Sequence, residues 1–350
     1  MKAGVVHAKE DIRYEEVITP EPKAGEVLIQ VKYTGICGSD IPRVNEGACH
    51  NFPIVLGHEF SGTIAKVGEN VTSLKVGDRV AGVPLVPCME CEDCQKGNYS
   101  LCKHYSFIGS RQNGSFAQYV VAPEKNAVKF EDEVTFEQGA FFEPATVALH
   151  GLQRVNYKGG KKVAILGGGT IGMFVMQWAK IFGAEEVIVF DISDERLQLG
   201  ERLGATGSIN TLHDDFMEHA IELTNGHGYD DYVFETAGNT ITMKMAFELA
   251  ANKAEVCFVG TPTKELSFTV KEWENMNRKE FILTGSWMSY SAPFPGEEWK
   301  AVAHYFKTGD LKFDDSFIYE KLPLSEIAQA FEKFKTPGTV KGKILIDSEK

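Results

Sequence analysis

Cys88, Cys91, Cys94 and Cys102 lie in one short stretch spaced C-x2-C-x2-C-x7-C, and upstream of them stands Gly57-His58-Glu59-Phe60-Ser61-Gly62. Four thiolates complete a tetrahedral zinc with no open position, so the quartet predicts a structural site that orders a loop. Cys37, His58 and Glu59 mix soft and hard donors and stop one short of a closed shell. That is the pattern of a catalytic zinc, with a position left for water or substrate. Cysteines at this spacing also begin iron–sulfur motifs, but there the fourth follows sooner and precedes proline. Here Lys103 follows the last cysteine. Met1-Lys2-Ala3-Gly4 has no charged segment leading into an apolar one. A reducing, cytoplasmic setting is therefore expected, and a disulfide framework is not. Cys257 sits in an apolar run and reads as a core residue. Cys49, beside His50, reads as a loop thiol or as a residue lining the site.

A second chemistry is written at Gly167-Gly168-Gly169-Thr170-Ile171-Gly172, a G-x-G-x-x-G string that follows the apolar run Val163–Leu166. Alone the pattern is a common glycine-rich turn. Here it joins a predicted strand to a helix with apolar residues at Ile171, Phe174, Val175, Trp178 and Ala179. Gly167 permits the tight turn, Gly169 lets the backbone approach a pyrophosphate, and Gly172 allows close helix packing. Thr170 and Ile171 open the helix, whose free N–H groups and dipole face the phosphates. Asp191 ends the next strand, nineteen residues beyond Gly172. Its carboxylate should accept from the adenosine ribose hydroxyls and repel a 2′-phosphate, which predicts NAD as cofactor. Arg196 is the one nearby residue that would favour NADP.

The elements that must position these residues fall into two kinds. At 350 residues two domains are expected. Hydrophobic content of 43% with 24% charged residues is that of a globular chain. The most apolar segment, 163–178, is interrupted by glycines and too short to cross a bilayer. A net charge of −13 argues against nucleic acid and anionic membrane as partners. Residues 1–150 read as short strands broken by glycine and proline, as in a β-barrel-like domain. Past Lys158-Gly159-Gly160, strand-like and helical runs alternate to about residue 290, the βαβ rhythm of a doubly wound α/β parallel sheet. Residues 291–350 are irregular, and their strand-like end, 342–346, is expected to return to the first domain.

The chain resembles the zinc-dependent medium-chain alcohol and polyol dehydrogenases over its full length. Gly57-His58-Glu59-x2-Gly62-x5-Gly68-x2-Val71 reproduces that family's zinc signature, and Cys37-Gly38-Ser39-Asp40 matches the segment carrying the first catalytic ligand. The resemblance implies a GroES-like β-barrel catalytic domain with a structural zinc lobe, followed by a Rossmann NAD-binding domain. It implies two zinc ions per chain. It also implies that Glu143, in Phe142-Glu143-Pro144, is the third catalytic ligand, as in the polyol branch. The alternative is a surface carboxylate, which the apolar flanks Ala140-Phe141-Phe142 and Pro144 fit poorly. Zn²⁺ with the Cys37 thiolate, neutral His58 and the Glu143 carboxylate sums to zero, whereas Glu59 as a fourth ligand would make the site −1. Glu59 is therefore expected to compete with water or to stay outside the coordination shell.

Ser39 matches the family's first proton relay. Many relatives carry a histidine three residues later, where this chain has Pro42; the outward path then uses water or another group such as His50. Phe107-Ile108-Gly109-Ser110-Arg111 and Gly285-Ser286-Trp287-Met288 resemble the branch acting on sugar-alcohol phosphates. Sorbitol dehydrogenases usually have arginine where Met288 stands. A phosphate needs a fork of donors, and Arg43 and Arg111 are the candidates, against the alternative that both are ordinary surface arginines. The expected partner is thus a small sugar-alcohol or sugar phosphate. An unphosphorylated polyol or vicinal diol is the alternative, and a non-catalytic NAD-binding role a distant third. A homo-oligomer is expected.

Overall fold

The computed structural model describes residues 1–229, 231–336 and 338–350. The chain divides into two units. One comprises Met1–Glu143, Tyr290–Gly309 and Asp315–Lys350, the other Pro144–Ser289 and Asp310–Asp314. The first division falls at Glu143–Pro144 and not near residue 150, within the first turn of the helix Phe142–Arg154. Asp310–Asp314 lies inside the segment expected to return to the first domain, yet it belongs to the second unit. Gln177 holds it there: its side chain donates to the Lys312 carbonyl at 3.2 Å and accepts from the Lys312 amide at 2.8 Å.

In the first unit the main sheet is built on the strand Glu26–Gly35. Its order is Ala127–Lys129, Arg79–Gly82, Glu59–Val67, Glu26–Gly35, Lys343–Asp347, Ile318–Pro323, with Tyr119–Pro123 also pairing to Glu26–Gly35. Register shifts between Leu28 and Ile29 and between Val31 and Tyr33 are bulges that increase twist and curl the sheet. Val27, Ile29, Val31, Phe60, Ile64, Val80 and Val120 fill its interior. Two pairings matter for the site. Gly35 stands opposite Glu59, and Leu345 opposite Gly35, so the C-terminal strand lies beside the start of the zinc-signature strand.

In the second unit six parallel strands run in the order Gly207–Asn210, Glu186–Asp191, Lys162–Leu166, Tyr232–Glu235, Glu255–Phe258, Ile282–Gly285. This is a Rossmann order with the switch point at the first strand, Lys162–Leu166. Val163 to Leu166 and Val187 to Phe190 are buried, as expected for strands covered on both faces. The helix Thr170–Ile181 buries Met173 through Ala179, and the Trp178 indole N–H donates to the Ala145 carbonyl at 2.9 Å. Among the described residues no helix is long and apolar enough to cross a membrane.

Candidate active site

The cysteine quartet forms in a lobe of the first unit. Cys91 precedes the short helix Glu92–Gln95, Cys94 lies within it, and Cys102 follows the turn Tyr99–Leu101. Four sulfurs each about 2.3 Å from a zinc stand about 3.8 Å apart. The separations are 3.9 Å for Cys88–Cys94, 3.9 Å for Cys91–Cys102 and 3.5 Å for Cys88–Cys102. Backbone N–H groups of Cys91 and Cys88 donate to the sulfurs of Cys88 and Cys102, which favours thiolates. Backbone hydrogen bonds hold the Cys91 thiol down to about 6, whereas burial pushes Cys94 up to about 12. The geometry fits a closed structural zinc.

A second donor group gathers Cys37, His58 and Glu59, whose ligand atoms all lie within 4.8 Å of one another. Glu59 opens the strand Glu59–Val67 and His58 immediately precedes it, while Cys37 follows the strand Glu26–Gly35. The antiparallel pairing of these strands brings the three together. His58 and Glu59 are buried. The His58 Nδ1 lies 3.5 Å from Asp40 Oδ1, and Asp40 is wholly buried. Its other oxygen accepts from the Cys37 amide at 3.2 Å. A carboxylate behind a ligating imidazole favours one ring orientation and tautomer, and here the same carboxylate stands at ion-pair distance from His58 while accepting from the Cys37 amide. Burial lowers the His58 imidazole, but Asp40 and Cys37 outweigh it and leave the group well above its ordinary range. So many anionic groups about one buried imidazole suit a cation, and the donor set fits a catalytic zinc.

Glu143 opens the helix Phe142–Arg154, anchored by Phe142, which stacks on Phe306 at 5.7 Å. It stands outside the tight trio but within its field. Burial pushes the Glu143 carboxyl up to about 7, with Glu59 and Asp40 adding to the rise and His58 and Lys343 opposing it. Lys343 went unremarked in the sequence. It is buried on the strand Lys343–Asp347, with its Nζ 2.5 Å from Glu59 Oε2. Burial lowers the ammonium, but Glu59 and Cys37 more than compensate and raise it.

Ser39 precedes the helical turn Asp40–Asn45. Arg43 reaches back from that turn: its Nη1 donates to Ser39 Oγ and to the Ser39 carbonyl, both at 2.8 Å, and lies 3.4 Å from Asp40 Oδ1. Arg111 is exposed and stacked over the Tyr105 ring at 4.4 Å. Burial lowers the His50 imidazole, and Arg111 and then Arg43 lower it further.

In the second unit Gly167 has φ +108°, and a Cβ on Gly172 would stand 1.8 Å from the Gly167 carbonyl oxygen. Neither position admits a side chain, whereas a Cβ on Gly169 would meet nothing within 4 Å, so that face of the turn is open. Gly169 caps the helix Thr170–Ile181, leaving the Thr170 and Ile171 end for an anion. Asp191 is buried. Its Oδ2 accepts from the Gly168 amide at 2.7 Å, its Oδ1 from the Ser193 amide at 2.9 Å, and Arg196 Nη1 lies 3.6 Å from Oδ2. The sequence presents Asp191 as a ribose reader; the structure adds that it ties the glycine turn to the next loop.

Residues 23–132 match the alcohol dehydrogenase GroES-like domain, and residues 170–307 the zinc-binding dehydrogenase domain. The chain belongs to the zinc-dependent medium-chain alcohol and polyol dehydrogenases, a family of oxidoreductases. It is similar to galactitol 1-phosphate 5-dehydrogenase of Escherichia coli K12, with 38% identity over 99% of each chain. The crystal structure of galactitol-1-phosphate dehydrogenase from Escherichia coli has a TM-score of 0.94 at 37% identity, covering 99% of this chain and 100% of that one. Sorbitol dehydrogenase of Bacillus subtilis is 36% identical over 75% of this chain and 76% of its own. D-arabitol-phosphate dehydrogenase of Enterococcus avium is 32% identical over 97% and 94%. A similar zinc-binding dehydrogenase structure from Sinorhizobium meliloti, bound to NADP, has a TM-score of 0.90 at 30% identity, covering 99% of this chain and 98% of its own.

Proposed function

We propose that this enzyme oxidises a secondary hydroxyl of a sugar-alcohol phosphate of the galactitol 1-phosphate kind, with NAD as oxidant, to give a keto-sugar phosphate. The observation that carries this reading is the similarity to galactitol 1-phosphate 5-dehydrogenase over the full chain, supported by Arg43, which donates to the proton-relay serine, and by Arg111, which is exposed. An acidic chain gains local positive charge there, where a phosphate dianion needs it. Stacking on Tyr105 sets the plane of the Arg111 fork in advance. Cys37, His58 and Glu143, with Glu59 beside them, would hold a zinc ion that would supply Lewis acidity toward the hydroxyl, and NAD would accept the hydride.

The remaining work belongs to side chains. Asp40 orients His58. Ser39 takes up the hydroxyl proton, and the Arg43 N–H on its Oγ leaves the serine's own O–H to be passed onward. His50 is exposed and biased toward its neutral form, which suits a proton acceptor in a chain with Pro42 where many relatives have histidine. Asp191, buried and held by two backbone amides, supports NAD over NADP. A second reading, a free polyol as substrate, is favoured by the similarity to sorbitol dehydrogenase and by the engagement of Arg43 with Ser39 and Asp40.

Arg111→Ala separates the two readings. Loss of one charge-assisted contact costs roughly 1.5–3 kcal/mol, so KM for the phosphate should rise about 10- to 150-fold while a free hexitol is unaffected. An equal effect on both substrates would favour the free polyol. Arg43→Ala should also lower kcat for every substrate, because it releases Ser39. The seven free cysteines support a cytoplasmic setting. The edge strand Ile282–Gly285, with Ile282 60% exposed, supports pairing with a second copy, which sedimentation would test.

A further inference from the structure

The buried ion pair between Lys343 and Glu59 is unused by the chemistry described above. The pair is close, at 2.5 Å, and the Lys343 Nζ lies 3.5 Å from the Ile36 carbonyl oxygen. Room for it is left by Gly35. A Cβ at that position would stand 2.5 Å from Glu59 Oε2 and 2.9 Å from the Lys343 side chain. Two buried charges of this kind are weak evidence for stability, since an apolar pair of the same volume commonly serves as well. Their place beside the catalytic donors suggests a different use.

Charge arithmetic shows which. Zn²⁺, the Cys37 thiolate, neutral His58 and the Glu143 carboxylate sum to zero. Adding the Glu59 carboxylate gives −1, and adding Lys343 returns the sum to zero. Glu59 shares a donor group with Cys37 and His58, so it is close enough to complete a shell of four protein ligands and shut the open position. Lys343 offers the same carboxylate a competing cation.

We infer that Lys343 is a positioning residue, whose ammonium holds the Glu59 carboxylate off the catalytic zinc and keeps one coordination position open. The inference rests on the reading of Cys37, His58 and Glu143 as zinc ligands.

The test uses the full chain with Co²⁺ exchanged into the Cys37–His58 site, zinc kept in the cysteine quartet, and imidazole as the incoming ligand followed by the cobalt visible spectrum. Lys343→Met should weaken imidazole binding at least about tenfold, the usual scale for groups that support a metal's ligands. It should also slow metal loss to a chelator. Adding Glu59→Gln to that variant should restore wild-type imidazole affinity, because the competing carboxylate is gone. If the unpaired buried carboxylate prevents Lys343→Met from folding, Glu59→Gln alone decides. With Glu59 already held off the metal, its removal should change imidazole affinity less than twofold, and a tenfold tightening would overturn the inference. Wild-type imidazole affinity in folded Lys343→Met would overturn it equally. A cobalt spectrum unaltered by Cys37→Ser would instead remove the metal-site reading beneath it.

Discussion

Replacing Asp191 by Ser tests the cofactor assignment and the turn geometry together. A unit charge about 4 Å from another interacts by roughly 4 kcal/mol at an effective dielectric of about 20. A ribose 2′-phosphate meeting the Asp191 carboxylate would therefore be disfavoured by several kcal/mol before compensation. Arg196, 3.6 Å from Asp191 Oδ2, offsets part of this, so a wild-type preference for NAD of about 10²- to 10³-fold is expected, where each factor of ten is about 1.4 kcal/mol. Asp191→Ser removes the repulsion and frees Arg196, and the ratio of kcat/KM for NAD to that for NADP should fall by at least tenfold. The substitution has a second cost. Asp191 accepts from the Gly168 and Ser193 amides, and hydrogen bonds to a charged group are worth about 1.5–3 kcal/mol each. Thermal stability should drop as well, and saturating NAD should recover part of the loss. Steady-state kinetics with both cofactors and a melting curve read the two effects. A variant with an unchanged cofactor ratio, or a wild-type enzyme preferring NADP, would refute the reasoning.

Cys37→Ser or His58→Ala should abolish turnover while NADH fluorescence titration shows intact binding, because the zinc donors and the dinucleotide turn are separate sets of residues. Cys94→Ser should lower the melting temperature and the zinc content by one equivalent, since closed sites contribute folding energy. Asp78 answers to pH. Burial raises its carboxyl, but Lys129 at 2.9 Å and the Lys75 amide outweigh that and leave it lowered. A depressed folded value gives stability that is present above the unfolded value near 4 and is lost as pH falls through the folded one. Asp78→Asn should therefore melt below wild type at neutral pH, with the gap closing in acid; a gap independent of pH would contradict this.

Much of the site is legible because its chemistry is local in sequence. The quartet closes within fifteen residues, Cys88 to Cys102, and the glycine turn lies between one strand and one helix. The strands around both were also visible: Lys162–Leu166 begins one residue before its apolar run, and Glu186–Asp191 ends on the aspartate as expected. What escaped was long-range. Lys343 reads as a lone charge before Ile344-Leu345-Ile346, and only the pairing of that strand with Glu26–Gly35 carries it to Glu59. Asp40 stood in plain view beside Ser39, but its reach to His58 depends on the fold of two separate segments. The division at Glu143–Pro144 has no mark in composition: the glycines where composition changes, Gly159 and Gly160, lie beyond the helix Phe142–Arg154 that spans it.

A phosphorylated polyol as substrate is tested by comparing kcat/KM for galactitol 1-phosphate and galactitol with NAD, in the wild type and in Arg111→Ala. The wild type should prefer the phosphate by about two orders of magnitude, on the scale of one or two charge-assisted contacts, and the variant should lose about tenfold or more of that preference. Equal kcat/KM for the two substrates in the wild type would contradict it and leave the enzyme as a dehydrogenase of free polyols.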